Sequence, residues 1–135
     1  MAQDASTELY NGKVRLKALI EKDGKVLILR DHKKPHWDLP GGRLNKGEEV
    51  KKGLAREVKE ELGVEIAVGE ALFADTSPDE HFAVVFKASL ANPDNEFVFA
   101  PDEVSEIKWI TKEEIEGASL WDEYRRALHI YFGVK

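Results

Sequence analysis

The chain has 135 residues, which fits one domain with a buried core, and its 42% hydrophobic and 34% charged residues are typical of a folded globular protein. The net charge of −6 argues against a broad nucleic-acid-binding surface, because such surfaces neutralise phosphates with Lys and Arg. The absence of cysteine excludes disulfides and thiolate zinc sites and suits a cytoplasmic location.

The N-terminal stretch lacks the basic and apolar runs of a signal peptide, so we expect none. No apolar run approaches the roughly 20 residues that cross a bilayer, so we expect no membrane association. We interpret residues 1–12 as an N-terminal tail, a candidate for disorder, and residues 13–135 as a single domain.

The first elements are two strands. Val14, Leu16, Ala18 and Ile20 alternate with polar residues, which predicts a strand with one buried face. Asp23-Gly24 supplies a tight turn, and residues 25–30 form the returning strand. Residues 35–42 contain two prolines and a glycine pair, so this segment is predicted to be irregular.

A helix follows, with apolar residues at helical spacing from Val50 to Leu62 and Gly63 at the position of a C-terminal cap. Strands are predicted at residues 64–73, 82–90 and 105–110. A last helix opens at Ser119-x-x-Asp122, which has the pattern of a capping box. Its stripe is expected to face the core: Trp121, Tyr124, Leu128 and Phe132. This order predicts an α/β layered domain with a mixed sheet.

The first helix carries a concentration of carboxylates. Glu57, Glu60 and Glu61 have the spacing i, i+3, i+4, which places them on one helix face, where they repel one another. Glu61 also lies at the edge of the apolar stripe, where a carboxylate needs a cation or strong donors. Mg²⁺ or Mn²⁺ held by these oxygens would offset both costs. The alternative is a solvated acidic face balanced by neighbouring lysines and Arg56.

The surrounding sequence favours the metal interpretation. Residues 42–64, GRLNKGEEVKKGLAREVKEELGV, match the pattern G-x5-E-x7-R-E-U-x-E-E-x-G-U without a break, where U is aliphatic. Seven fixed residues at these spacings arise by chance on the order of 10⁻⁸ per starting position. This segment resembles the Nudix box, and the chain is identified as a MutT-like member of the Nudix hydrolase family. The lead-in His36–Gly42 and the segment Trp109–Thr111 are also similar to the family's.

The resemblance implies a Nudix-like α/β/α sandwich with a mixed β-sheet and the box as a loop–helix–loop. It implies that Mg²⁺, with Mn²⁺ as a substitute, is bound by Glu57, Glu60, Glu61 and the Gly41 carbonyl. Arg56 is expected to orient Glu60, and Glu48 is expected to favour the helix start and to clamp the loop through Arg56. A later acidic residue often serves as base or extra ligand in the family, and Glu103 is the candidate, with Glu80 and Asp102 as competitors.

The implied activity is Mg²⁺-dependent hydrolysis of a diphosphate linkage in a nucleoside diphosphate linked to another moiety. Water attacks one phosphorus, and the base is left open between Glu57, Glu60 and Glu103. Arg30, Trp37 and Arg43 are the candidate substrate contacts, the first of them within a basic run at residues 30–36.

The substrate is left open between nucleoside triphosphates and molecules like ADP-ribose. We expect a small nucleotide as the partner and no polymeric nucleic acid, and a homodimer is compatible with the family. The alternative function is a Nudix-fold domain that binds or senses a nucleotide without cutting it.

Overall fold

The computed structural model describes residues 9–77 and 81–133. Its strands are β1 (Lys13–Lys22), β2 (Lys25–Arg30), β3 (Gly41–Arg43), β4 (Ile66–Thr76), β5 (His81–Leu90) and β6 (Glu106–Ile110). Its helices are α1 (Val50–Leu62) and α2 (Asp122–Phe132), with a 3-10 turn at Lys112–Glu114. Within the described residues, neither helix is long and apolar enough to cross a membrane.

The strands form one mixed sheet in the order β4-β5-β1-β2-β6, with β3 paired to β1. The pairing of β1 with β5 is parallel, whereas the other pairings are antiparallel. Strand β1 is therefore central, and it contacts β2 through the hairpin end and β3 through its first half. This arrangement confirms the predicted mixed sheet.

Two hydrophobic cores lie on opposite faces of the sheet. Leu54, Val58 and Leu62 of α1 pack against one face. Tyr124 and Leu128 of α2 pack against the other. The molecule is thus an α/β/α sandwich, as predicted.

The prediction that β1 buries one face only is wrong. Leu16 and Ala18 face α1, but Lys17 and Leu19 on the opposite face are also buried. The alternation of polar and apolar residues indicated a solvent-facing side, yet a central strand between two helical layers has none.

The first predicted helix is confirmed, and the start of the last one is corrected. Gly63 ends α1 in the left-handed region with φ 68°, and its N–H donates to the Lys59 carbonyl. Helix α2 begins instead after Trp121, and no side chain caps it. The Ser119 hydroxyl shares a hydrogen bond of 2.9 Å with His36 Nδ1 instead of serving as the predicted cap. Trp121 is 41% exposed, so it does not join the buried stripe.

The segment before α1 is more regular than the sequence indicated. Gly41–Arg43 form β3, which pairs with residues 15–17 of β1. Gly41 has φ 140°, and an added Cβ would overlap the Leu16 carbonyl oxygen. A glycine is needed here both for the backbone conformation and for the close approach of the two strands.

We expect Gly41→Ala to lower the free energy of unfolding by at least about 3 kcal/mol, because it adds a steric overlap to an unfavourable backbone conformation. Gly47→Ala is the matched control, since Gly47 also has a positive φ, of 79°, but has open space around it. The control should cost only about 1 kcal/mol. Urea unfolding of both variants measures the difference, and equal losses would contradict the steric argument.

Candidate active site

The acidic face of α1 packs directly against the glycine pair of β3. An added Cβ at Gly42 would overlap the Glu57 carboxylate, so a glycine lets that carboxylate lie on the backbone. The Gly41 N–H donates a 2.7 Å hydrogen bond to Glu61 Oε1. The short strand and the helix face therefore form one unit, in which backbone and carboxylate oxygens lie close together.

Arg56 connects the carboxylates of this unit. Its Nε and Nη2 donate to the two Glu48 oxygens at 2.6 and 3.1 Å, a bidentate contact. Nη2 also reaches Glu57 Oε1 at 3.1 Å, and Nη1 reaches both Glu60 oxygens at 3.0 and 3.1 Å. The expected contacts of Arg56 with Glu60 and with Glu48 are both present. One guanidinium thus orients two carboxylates of α1 and ties the preceding loop to the helix.

Glu48 completes this connection from the loop side. Its Oε1 accepts a hydrogen bond from the Asn45 backbone N–H at 3.2 Å, and the Arg56 hydrogen bonds hold the Glu48 pKa below its usual value. A Cβ at Gly53 would lie 2.7 Å from Glu48 Oε1, so the absence of a side chain at Gly53 makes room for this carboxylate. This helix glycine therefore accommodates the contact between the loop and Arg56.

Two of the three helix carboxylates are withdrawn from water. Burial raises the pKa of Glu61 to about 8, although Lys17 and the Gly41 N–H favour its ionised form. Burial also raises the pKa of Glu57, which Arg56 opposes. The negative charge of Glu103 contributes to both increases. Carboxylates in this condition are stabilised by additional positive charge.

Lys17 supplies some of that charge from beneath the site. It is 5% exposed, and its ammonium donates to Asp38 Oδ2 at 3.1 Å and to the Leu39 carbonyl at 3.2 Å. Burial disfavours the ammonium, but Asp38, Tyr124 and Glu61 together raise the Lys17 pKa above its usual value. Lys17 therefore binds the lead-in segment to β1 and places a positive charge near Glu61.

A cleft of about 400 Å³ opens above this unit. Its lining includes four of the predicted site residues, namely Arg30, Arg43, Glu61 and Glu103. Trp37 is not among its lining residues; its ring instead lies under the Arg30 guanidinium, 4.7 Å from ring centre to Cζ. The Arg30 guanidinium also pairs with Glu106.

Within residues 9–77 and 81–133, no group of three or more acidic or histidine side chains is close enough together to hold a metal ion. Arg56 holds Glu57 and Glu60, and the Gly41 N–H holds Glu61. Asp102 lines the cleft beside Glu103. Glu80, the other competitor for the external acidic position, lies outside the described residues.

Sequence reasoning did not select several residues of this region, although each carried a weak signal. Arg15 and Lys17 are cations within a strand, and Asp38 precedes the Leu-Pro-Gly-Gly segment. Trp121 was assigned to the core-facing stripe of the last helix, and Glu123 is an acidic residue in the first turn of that helix. Only the packing of β1, the lead-in segment and α2 brings these residues to one side of the sheet.

Residues 13–130 match the NUDIX domain family, which is most of the chain. The chain belongs to the Nudix family. A MutT-like protein of Streptomyces ambofaciens is 30% identical over 72% of this chain and 62% of its own length. The CTP pyrophosphohydrolase of Escherichia coli K12 is 39% identical over 39% of this chain and 42% of its own length. The chain thus spans less than two thirds of these two relatives.

The fold is also that of solved Nudix structures. The crystal structure of a MutT protein from Methanosarcina mazei Go1 superposes with a TM-score of 0.77 at 26% identity. The superposition covers 93% of this chain and 97% of that one. The predicted family and the Nudix-like fold are therefore confirmed.

We expect Lys17→Met to lower the free energy of unfolding by about 3 kcal/mol, because it leaves Asp38 and the Leu39 carbonyl without their partner. Lys13→Met is the control, since Lys13 lies at the exposed end of the same strand. The control should change stability by less than about 0.5 kcal/mol. Equal stability of the two variants in urea unfolding would show that the Lys17 contacts do not support the lead-in segment.

Proposed function

We propose that this Nudix domain hydrolyses a diphosphate linkage in a nucleoside diphosphate linked to another moiety, with Mg²⁺ or, in its place, Mn²⁺. The observation that carries the proposal is the packing of the Glu57 and Glu61 carboxylates against the Gly41-Gly42 backbone, beside a cleft lined by arginines. Carboxylate and carbonyl oxygens suit Mg²⁺, and arginines suit phosphate oxygens.

The cation would be held by Glu57, Glu60, Glu61 and the Gly41 carbonyl. The burial of Glu57 and Glu61 supports this assignment, because both carboxylates lack sufficient compensating charge in the protein alone. A bound Mg²⁺ supplies charge neutralisation for the diphosphate oxygens and acidifies water for attack on phosphorus. The fit rests on the chemistry of these donors and on the space that the missing Cβ of Gly42 leaves beside Glu57.

The protein side chains have separate roles in the proposal. Arg56 acts as a positioning residue, because its contacts fix the orientations of Glu57 and Glu60. Arg30 and Arg43 line the cleft and donate hydrogen bonds to substrate phosphates. Trp37 supports the Arg30 guanidinium from below.

A general base takes the proton of the attacking water. Glu57 and Glu60 are candidates on the helix, and Glu103 is the candidate outside it. Glu103 is exposed and lines the cleft, so it has access to a substrate. With Glu103 as base, all three α1 carboxylates are left to hold the cation.

The substrate is proposed to be a small nucleotide and not a polymeric nucleic acid, in agreement with the net charge of −6. A relative named for the pyrophosphohydrolysis of CTP favours a nucleoside triphosphate, which would release pyrophosphate. A molecule like ADP-ribose would instead release AMP, so product identity separates the two.

The alternative is a domain that binds a nucleotide without cutting it. All the box carboxylates are present, and Arg56 contacts three of them, Glu48, Glu57 and Glu60, which favours the enzyme. A panel of nucleoside triphosphates, ADP-ribose, NADH, dinucleoside polyphosphates and sugar nucleotides, with Mg²⁺ or Mn²⁺, tests both ideas. Tight nucleotide binding without any product would decide for the sensor.

We expect Glu57→Gln to lower turnover of the best panel substrate by at least about 100-fold, because it removes a proposed ligand and candidate base while preserving side-chain size. Glu113→Gln is the control, since Glu113 is exposed in the 3-10 turn away from the cleft. Initial rates at saturating Mg²⁺ measure the loss. Turnover of Glu57→Gln equal to that of the control would remove Glu57 from the reaction.

We expect Arg56→Met to raise the Mn²⁺ concentration for half-maximal binding by about 10- to 100-fold, because it frees Glu57 and Glu60 from their fixed orientations. Arg56→Lys should not restore binding, since an ammonium cannot make the bidentate contact with Glu48. Arg126→Met removes an exposed arginine that pairs with Asp75 and serves as control. Mn²⁺ titration followed by electron paramagnetic resonance gives the affinities, and unchanged values would refute the positioning role.

A further inference from the structure

A second cavity, of about 700 Å³, adjoins the cleft on the α2 side of the sheet. Both spaces share four lining residues: Arg15, Lys34, His36 and Trp121. The proposed diphosphate chemistry uses none of the residues that line this second cavity alone. A substrate whose phosphates lie in the cleft therefore has a continuous path into it, with positive charge from Arg15 and Lys34 at the junction.

The junction is an aromatic wall built from two chain segments. Trp121 lies 4.4 Å from His36 between ring centres, and His36 is held by the Ser119 hydroxyl. The backbone N–H of Trp37 donates to the Ser119 carbonyl at 2.6 Å, which joins the lead-in segment to the start of α2. Since 41% of Trp121 remains exposed in this fixed position, its indole presents an aromatic surface for a planar ring.

Glu123 is a buried acidic residue in the wall of this cavity. It lines the cavity, yet it is 6% exposed, so the rest of its surface is covered by protein. Across residues 9–77 and 81–133, its carboxylate makes no hydrogen bond and no ion pair. Its oxygens are not among the enclosed, unpartnered side-chain atoms of the described residues, so they keep access to the cavity. Because a carboxylate only accepts hydrogen bonds, a ligand that fills the cavity is expected to supply N–H donors to them.

We propose that this cavity binds the base of a nucleotide, and that Glu123 selects bases that present an amino group. Cytosine, adenine and guanine offer an N–H₂ donor to the carboxylate while their rings stack on Trp121. Uracil and hypoxanthine have a carbonyl or a C–H in place of the amino group, so they keep only a ring N–H as a donor on that edge and bind the carboxylate less well. The inference rests on the proposed function and deepens it, because it names the class of nucleotide.

The test uses nucleoside monophosphates with the full chain, so that binding is measured without cleavage. The pairs CMP and UMP, and GMP and IMP, differ at an amino group. We expect the amino-bearing member of each pair to bind at least about 10-fold more tightly by isothermal titration calorimetry. Equal affinities within both pairs would overturn the proposal.

Substitutions of Glu123 and Trp121 test which residue determines the base selectivity and which the affinity. Glu123→Gln should reduce the ratio within each pair to about 3-fold or less, because an amide offers both a donor and an acceptor. Trp121→Ala should weaken all four ligands by about 10-fold, whereas Trp121→Phe should retain most of the affinity. The controls are Glu113→Gln and Ile130→Ala, which change exposed residues away from the cavity. Unchanged ratios in Glu123→Gln, or unchanged affinity in Trp121→Ala, would refute the assignment.

The two proposals fail in different ways. Selective binding of the amino-bearing monophosphates without cleavage of any triphosphate would support the base site and refute the diphosphohydrolase. Cleavage of CTP and UTP with equal kcat/KM, together with equal binding of CMP and UMP, would refute the base site and leave the diphosphohydrolase standing.

Discussion

The contacts of the Arg56 guanidinium are the interaction on which the arrangement of the α1 carboxylates depends. Three carboxylates on one helix face repel one another, and each such pair costs a helix about 0.2–0.5 kcal/mol. Arg56 contacts Glu57 and Glu60 and also fixes Glu48 in the preceding loop. The same group therefore lowers the repulsion, sets the carboxylate directions and orders the loop that leads into the helix.

The second constraint is the burial of charge beneath the site. The α/β/α layering leaves β1 without a solvent-facing side, so Lys17 must be paired inside the protein. Its contacts with Asp38 and the Leu39 carbonyl satisfy the ammonium and also hold the segment that precedes Gly41. Because the Gly41 N–H contacts Glu61, the same segment connects the buried Lys17–Asp38 pair to a carboxylate of α1.

The sequence predicted those parts that local spacing determines. Helix α1, the Gly63 cap and the contacts of Arg56 with Glu48 and Glu60 follow from residues within one helix and its loop. The errors lie where distant segments meet. Strand β3 exists because Gly41 can approach β1 closely, which no local pattern of residues 35–42 indicates. Trp121 was expected in the core, but α2 begins after it, because Ser119 bonds to the lead-in segment instead of capping the helix.

The same distinction separates the reaction from its specificity. The residues proposed to hold the metal lie within residues 41–64, and their resemblance to the Nudix box indicates a diphosphohydrolase. The cavity on the α2 side is formed by segments that are far apart in the chain, and its selective group, Glu123, is an ordinary glutamate in a helical pattern. Only its position in the wall of the cavity that Trp121 also lines supports the proposed role. The proposed base selectivity thus resides where α2 meets the lead-in segment, whereas the proposed cleavage resides in the box.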